Sequence, residues 1–373
     1  MAASKTADIR NIVLIGHGGA GKTTLAEAML HGTGATGRLG SVDDGTSMLD
    51  FTDLEKERSH SVDPAACFIE YKGKTVDIID APGYPDFVGG AIASIAGGDT
   101  AVLVISASAG IEVNTRKLQA VAAELGLPMA IVVNKIDADN VNLAELVEQI
   151  TETFGSACKP MNLPTGGGTG VIDCLANDSG DADILDVADA HTELVENIIE
   201  SDEELMEAYL GGEEVPADKL NAAVASAMLE GAIVPIFFTS AKSEIGTSEF
   251  LDVITNFFPT PDMITGRPIT SDADGEEAID YTADADKPFI GQAFKLTTDP
   301  FVGKLAWIRV LQGTLTPDSA YHLGEERKPA KVGHIFKVMG KETEEIKKAV
   351  AGDLIALAKV EEIKAGDILH DGT

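Results

Sequence analysis

The sequence predicts an α/β domain, a mainly parallel sheet with helices on both faces, followed by an antiparallel β-barrel domain. Three observations predict it. Short, almost uniformly apolar runs alternate with helical patterns up to about residue 260, as expected of strands buried on both faces and joined by crossover helices. A Gly-rich loop, GHGGAGKT from Gly16 to Thr23, stands between the first such strand and the first helix. Beyond a Pro- and carboxylate-rich stretch, closely spaced strands with Gly turns take over, which is how small barrels read.

In chain order, NIVLI (Asn11 to Ile15), TVDIID (Thr75 to Asp80), TAVLVIS (Thr100 to Ser106), MAIVVN (Met129 to Asn134) and IVPIFFT (Ile233 to Thr239) read as buried strands. Lys22 to Leu30, Pro85 to Ala96, Val113 to Leu125, Leu143 to Phe154 and Thr247 to Phe257 read as helices between them. Ligands in such sheets bind at the carboxyl ends of the strands. The stretch from about 138 to 232 breaks the rhythm and reads as an insertion. It holds a Gly-rich loop, PTGGGTG (Pro164 to Gly170), an acidic stretch, NDSGDADILD (Asn177 to Asp186), and helical patterns near Ala190 to Tyr209 and Asp218 to Glu230. The acidic stretch lacks the alternate carboxylate spacing and closing Glu of a calcium loop, and reads as a solvated loop. The expected division is a first domain over 1–262, an acidic linker over 263–287 and a barrel over 288–373. The barrel strands are read in IGQAFKLTT, GKLAWIRVLQG, PAKVGHIFKV, GDLIALAKV and GDILH.

A formal net charge of −33 argues against broad, non-specific nucleic-acid binding, because neutralising phosphates needs clustered Lys and Arg. Docking on an RNA-rich machine through a local basic patch stays open. Such an acidic surface suits a salty cytoplasm or plain solubility equally. The N-terminal MAASKTADIRNIVLIG lacks the apolar core of a secretory signal, and no apolar run nears the roughly 18 residues that span a bilayer. A cytoplasmic protein with no membrane partner is expected. Cys67, Cys158 and Cys174 lack zinc-site spacing and read as free, packing thiols.

GHGGAGKT fits G-x-x-x-x-G-K-[ST]. Across Gly16, His17, Gly18, Gly19, Ala20 and Gly21, successive backbone N–H groups can turn toward phosphate oxygens. Lys22 reaches the β and γ phosphates, the Thr23 hydroxyl ligates Mg²⁺, and Thr24 continues the cradle. Asp80 ends the next strongly apolar strand, where a carboxylate that helps hold Mg²⁺ belongs. Ala81 and Pro82 lead to Gly83, which can offer its N–H to a γ-phosphate without a side-chain clash. Tyr84 follows, facing the attacking water. An Asp-x-x-Gly alone says little; one strand after a phosphate loop it becomes informative.

Base identity rests on NKID, Asn134 to Asp137, after the strand MAIVVN. Asp137 can accept both N1–H and N2–H₂ of guanine, whereas adenine would leave the buried carboxylate unsatisfied. Rejection of that kind reaches about 10⁴-fold. The stem of Lys135 can cover the base, and Asn134 can tie this loop to the phosphate loop. TSAK, Thr239 to Lys242, ends the last strand, so Ser240, Ala241 and Lys242 border the base, with the Ala241 N–H placed for guanine O6. GTP or GDP with Mg²⁺ is the expected ligand.

These four motifs, in this order, resemble a guanine-nucleotide switch domain. IRNIVLIGHGGAGKTTLAEAML, DLEKERSHSV (Asp53 to Val62) and DAPGYPDF (Asp80 to Phe87) resemble the first domain of translation elongation factor G. TDPFVGKLAWIRVLQGTL (Thr298 to Leu315) and GDLIALAKVEEIKAGDIL resemble that factor's second, barrel domain. The likeness covers essentially the whole chain, with the insertion as a trimmed form of the family's subdomain. It implies a P-loop GTPase that hydrolyses GTP to GDP on the ribosome during translation elongation. Ordering of Asp53 to Val62 and of Asp80 to Phe87 by Mg²⁺ and GTP would set the barrel's orientation. A monomer without sequence-specific DNA binding is expected. Two alternatives stay open: a GTP-dependent ribosome-binding or regulatory module with little or no hydrolysis, and a P-loop ATPase.

The chain departs from the family at the phosphates. Gly18 and Gly19 replace an apolar residue that helps shield the attacking water and an Asp associated with a monovalent cation. RSHSV, Arg58 to Val62, replaces RGITI, leaving Ser61 as the hydroxyl that closes over Mg²⁺ with Thr23 and Asp80. Tyr84 replaces the His that orients the water, a pattern resembling elongation-factor-G-like paralogues, some of which carry this Tyr. A phenol is neutral at cellular pH and can hydrogen-bond a water but cannot supply an imidazole. The changes touch hydrolysis and spare binding, so tight GTP binding with a low intrinsic rate is expected, with Lys22, Gly83 and Tyr84 as the catalytic set. His17 and His60 either compensate or are ordinary surface residues. Elongation factor G continues beyond its barrel into three more domains, so a piece of a longer protein is expected rather than a naturally shortened one.

Overall fold

A computed structural model describes residues 5–212, 215–264, 269, 279–299, 303–324, 328–358 and 360–372. Its first domain has strands β1 Ile9–Ile15, β2 Ala65–Tyr71, β3 Lys74–Asp80, β4 Thr100–Ser106, β5 Met129–Asn134, β6 Cys158–Pro160, the hairpin β7 Asn162–Thr165 and β8 Gly170–Asp173, and β9 Val234–Thr239. Among the described residues seven of these form one sheet in the order β2-β3-β1-β4-β5-β9-β6. Every residue of β1, β4 and β5 is buried, which is why these strands are mostly apolar rather than alternating. The helices are α1 Lys22–Gly32, α2 Asp53–Arg58, α3 Val88–Ile95, α4 Val113–Glu124, α5 Leu143–Phe154, α6 Val187–Ile199, α7 Glu203–Leu210, α8 Ala217–Glu230 and α9 Thr247–Phe257. The chain order reverses direction across the sheet at β1, which pairs in parallel with β3 on one side and β4 on the other. A ligand crevice is expected at such a point.

Several elements differ from their sequence reading. β2 pairs antiparallel with β3 at the sheet edge; its small Ala-Ala-Cys start hides the apolar signal. Asp53–Arg58 forms a helix fixed by a capping box, in which the Thr52 hydroxyl accepts from Glu55 N–H and Glu55 reaches back to Thr52 N–H. The expected helix over 85–96 begins with a 3₁₀ turn, Pro85–Phe87, before α3. The pattern over 190–209 divides into α6 and α7, because Asp202 turns its carboxylate onto Glu204 N–H and Leu205 N–H and starts a new helix.

The second domain contains β10 Ile290–Asp299, β11 Gly303–Gln312, β12 Thr314–Leu315, β13 Ala320–Leu323, β14 Ala330–Lys331, β15 Ile335–Met339, β16 Glu342–Ile346, β17 Ala349–Val350, β18 Leu354–Ala358 and β19 Ile368–His370. Among the described residues eight pair antiparallel in the order β14-β13-β19-β10-β11-β18-β15-β16, and β12 pairs with β17. PAKVGHIFKV is two strands, β14 and β15, rather than one. β16 escaped the reading because ETEEI is almost wholly exposed. Within 263–287, Ile269 and Ala283 are buried and Thr282 N–H donates to the Gln312 side chain.

The barrel is joined to the sheet by buried charges. Lys337 on β15 meets both oxygens of Asp77 on β3 at 2.9 Å and Asp353 at 3.0 Å. Arg309 on β11 pairs with Asp99 at 2.6 Å, and Asn11 on β1 donates to the same carboxylate at 2.7 Å. Burial works against the Lys337 charge, but Asp353 and Asp77 outweigh it and raise its pKa. No helix among the described residues is long and apolar enough to cross a membrane. The three cysteines are free and buried, and burial raises their pKa values, to about 11 for Cys158 and about 12 for Cys174.

Candidate functional site

The ends of β1, β3, β5 and β9 deliver four loops to one edge of the sheet, where a cleft of about 520 Å³ opens. Gly18, Gly19, Gly21, Lys22, Thr23, Thr24, Ser61, Gly83, Tyr84, Asn134, Lys135, Asp137, Ser240 and Lys242 line it. Gly16, His17, Ala20, Asp80, Ala81, Pro82 and Ala241 belong to the same loops behind that surface. Gly21 takes the left-handed conformation, φ 92°, and turns the chain into α1. Lys22 is buried in the floor, its Nζ donating to the carbonyls of Gly16 at 3.1 Å and His17 at 2.9 Å. Burial pushes its ammonium down to about 8, against the pull of Asp80 and Asp50. A phosphate in the cleft would raise it again.

Thr23 Oγ1 donates to Asp80 Oδ2 at 2.6 Å and lies 3.1 Å from Ser61 Oγ. The three residues expected to hold Mg²⁺ are thus in one cluster, drawn from α1, the end of β3 and the loop after α2. A fourth, Asp50, stands with them, and no motif marked it. Asp80 Oδ1 and both Asp50 oxygens are buried without a hydrogen-bond partner. Burial raises Asp80 to about 7, with Asp50 adding to the rise. Burial likewise raises Asp50 to about 6; the Ser61 hydroxyl moderates this without meeting hydrogen-bond geometry. Unpartnered carboxylate oxygens beside two hydroxyls fit a hard dication. Among the described residues no three His, Cys, Asp or Glu gather to hold a metal unaided. The remaining ligands would be phosphate oxygens and water, as Mg²⁺ prefers.

Gly83 is held against the phosphate loop, where a Cβ would come within 2.7 Å of Gly18 N and of the His17 carbonyl carbon. Asn114, buried at the start of α4, donates to the Gly83 carbonyl at 2.7 Å and fixes that peptide. The Tyr84 ring lies over Gly18: a Cβ there would approach three ring carbons to 2.7–2.8 Å. The departures at 18 and 84 are therefore one feature, the ring taking room that a side chain at 18 would need. His60 packs on the exposed side, its ring centroid 4.3 Å from that of Tyr84, while its Nδ1 lies 2.9 Å from the Arg58 carbonyl. His17 Nε2 lies 3.4 Å from a Glu112 oxygen.

At the other end, Asn134 joins three loops. Its Nδ2 donates to the Ala20 carbonyl at 3.1 Å, and its Oδ1 accepts from Lys135 N–H at 2.9 Å and Ala241 N–H at 3.0 Å. A base O6 would share that Ala241 N–H with Asn134. Lys135 Nζ reaches the Gly19 carbonyl at 2.7 Å. Asp137, expected as a buried carboxylate, is instead exposed, and it accepts from the Ser243 hydroxyl at 2.7 Å. Burial acts to raise the Asp137 pKa, but hydrogen bonds from Ser243 and Ser240 outweigh it and hold the carboxyl below its ordinary value. Asp50, Asn114 and Ser243 lie outside the motifs and enter the site only through the fold.

Residues 7–260 match the family model of the elongation factor Tu GTP binding domain, and residues 288–372 that of elongation factor G domain 2. An elongation factor G-like protein of Mycobacterium tuberculosis is 32% identical over 403 residues, covering 99% of this chain and 56% of that protein. An elongation factor G of Dehalococcoides mccartyi is 31% identical over 382 residues, covering 97% and 55%. The crystal structure of ttk003000868 from Thermus thermophilus superposes with a TM-score of 0.85 at 33% identity, over 98% of this chain and 55% of that one. The chain spans about half the length of the curated relatives it matches. With both domain models matched in order and near-complete coverage by such relatives, the chain belongs to the elongation factor G-like family, of which it carries the GTP-binding domain and the second domain.

Proposed function

We propose that this chain is the nucleotide-binding part of a cytoplasmic, monomeric translational GTPase that binds GTP with Mg²⁺ and hydrolyses it to GDP on the ribosome during elongation, at a low intrinsic rate. One observation carries the reading. One cleft is lined by Asp137 and by Thr23 and Ser61, with Asp80 bonded to Thr23 behind them and Asn134 bonded to the phosphate loop. Asp137 accepts the guanine N1–H and N2–H₂, Lys135 covers the base, and Ser240, Ala241 and Lys242 border it. Backbone N–H groups of 16–21, Lys22 and Gly83 N–H would hold the phosphates, while Thr23, Ser61 and Asp80, joined by Asp50, would hold Mg²⁺. When bound, Mg²⁺ would supply neutralisation of phosphate charge. Water attacks the γ-phosphorus and gives up a proton to a γ-phosphate oxygen, the bond to the β–γ bridging oxygen breaks with that oxygen leaving on GDP, and Lys22 and Gly83 stabilise the charge that develops. Tyr84 can hydrogen-bond the water but is a poor acceptor of its proton, which limits the rate. With a net charge of −33, ribosome docking would use local patches, and sequence-specific DNA binding is not expected.

The Tyr84 ring over Gly18, backed by His60, favours a second reading, a GTP-dependent ribosome-binding or regulatory module with little or no hydrolysis. Single-turnover GTP hydrolysis by a protein containing this chain and whatever follows it, with and without ribosomes, separates the two. Ribosome-stimulated cleavage supports the first; tight GTP binding without stimulation sinks it in favour of the second.

A further inference from the structure

We propose that the hairpin of the insertion, clasped by Asp183, is a positioning device for base recognition, so that Asp183 and Gly168 govern how well Asp137 discriminates the base. The inference rests on the guanine reading of the cleft and explains two stretches that reading leaves unused, PTGGGTG and NDSGDADILD. Lys135 sits at φ +66°, a conformation that a lysine keeps only where its surroundings hold it. Asn134 grips the loop from one side, and Ile136 N–H donates to the Thr239 carbonyl at 3.2 Å. The third support comes from the insertion. Gly168, at φ +80°, presses its backbone against the Ile136 peptide, so closely that a Cβ would collide with the Ile136 carbonyl and stand 3.4 Å from Asp137 N.

That approach depends on an unusual turn. Gly166, Gly167 and Gly168 all have positive φ, and the Asp183 carboxylate accepts Gly167 N–H at 3.1 Å on one oxygen and Gly168 N–H at 3.0 Å on the other. Asp183 is itself tied to the hairpin through its own N–H, which donates to the Pro164 carbonyl at 2.8 Å. The base of the same hairpin braces the other base-side loop. Asn162, buried on β7, accepts from Phe238 N–H at 2.7 Å and donates to the Phe238 carbonyl at 3.3 Å, immediately before Thr239 to Lys242. One hairpin therefore abuts both loops that border the base. Its influence should fall on the base rather than on the phosphates, whose loop it does not reach through these bonds.

The test measures GDP and inosine diphosphate binding by competition against a fluorescent GDP analogue, with Mg²⁺, on the full 373-residue chain. Inosine diphosphate lacks the 2-amino group, so the ratio of the two affinities reads how well Asp137 is placed. Wild-type protein is expected to prefer GDP by about tenfold. Asp183→Ala is expected to weaken GDP by about fivefold while inosine diphosphate weakens less, lowering the ratio. Asp183→Asn, which keeps one acceptor oxygen and nearly the same shape, should fall between. Gly168→Ala should lower the ratio further, and Asp183→Asn serves if that variant does not fold. A ratio unchanged in the Asp183 variants, whether both affinities hold or both fall together, overturns the clasp's role and leaves the guanine reading standing. Wild-type protein that binds GDP no better than inosine diphosphate overturns the guanine reading and the clasp with it.

Discussion

Asp50 and Asp80 share a small buried volume with three carboxylate oxygens lacking partners, and their cost is visible in their acidity. Both are raised from the ordinary value of 3.8, to about 6 and about 7, chiefly by burial. The native state therefore keeps protons that the unfolded chain has released, so this contribution to stability is present below pH 4 and is lost as pH rises through 6 to 7. Asp50→Asn removes one such group. Without nucleotide it should melt above wild type at pH 8, by about 3 °C, with the gap closing by pH 4, and it should bind Mg²⁺·GDP more weakly. A gap that is the same at both pH values would contradict the assignment. Tyr84 and Gly18 make a second residue-scale case. Tyr84→His alone leaves the imidazole without a neighbour at 18, and Gly18→Val alone drives a side chain into the ring. The double variant should exceed the product of the single effects in single-turnover hydrolysis by about tenfold or more, whereas multiplicative effects would show the two positions to be independent. Asp80, Asn134 and Asp137 were legible because each stands at a fixed offset from a strand end. Asp50, Asn114 and Ser243 were not, because their contacts come from distant parts of the chain.

β3 illustrates what strand reading reaches. TVDIID reads as a buried strand with a site residue at its end, and nothing in that reading accounts for the acid in its middle. Asp77 is explained by Lys337, 260 positions away, which also holds Asp353. Removing one partner from a buried ion cluster leaves uncompensated charge, typically costing about 3–5 kcal/mol. Lys337→Met should lose about that much in urea unfolding, and adding Asp77→Asn should recover part of it. A loss below about 1 kcal/mol would mean that water already reaches the cluster. The central strands are legible because burial on both faces makes them mostly apolar, with Asn11 and Asp77 among the buried exceptions. β6, with three residues, and β16, almost wholly exposed, carry no such pattern.

On the scale of the molecule, two buried clusters, Lys337 with Asp77 and Asp353, and Arg309 with Asp99 and Asn11, tie the barrel to the sheet. These contacts couple the stability of the barrel to that of the sheet. Wild-type protein should accordingly unfold in a single cooperative transition by calorimetry, and Lys337→Met should separate it into two. The division into an α/β domain and a barrel was legible from the change in apolar period; the charged contact between them was not, since its members are far apart in sequence. Guanine selection across the cleft is tested most directly by competition of GDP and ADP against a fluorescent GDP analogue at fixed Mg²⁺ and salt. ADP should compete at least about 10³-fold less well than GDP, because adenine leaves Asp137 without its donors. ADP competing within about tenfold of GDP would contradict the assignment of Asp137 to the base.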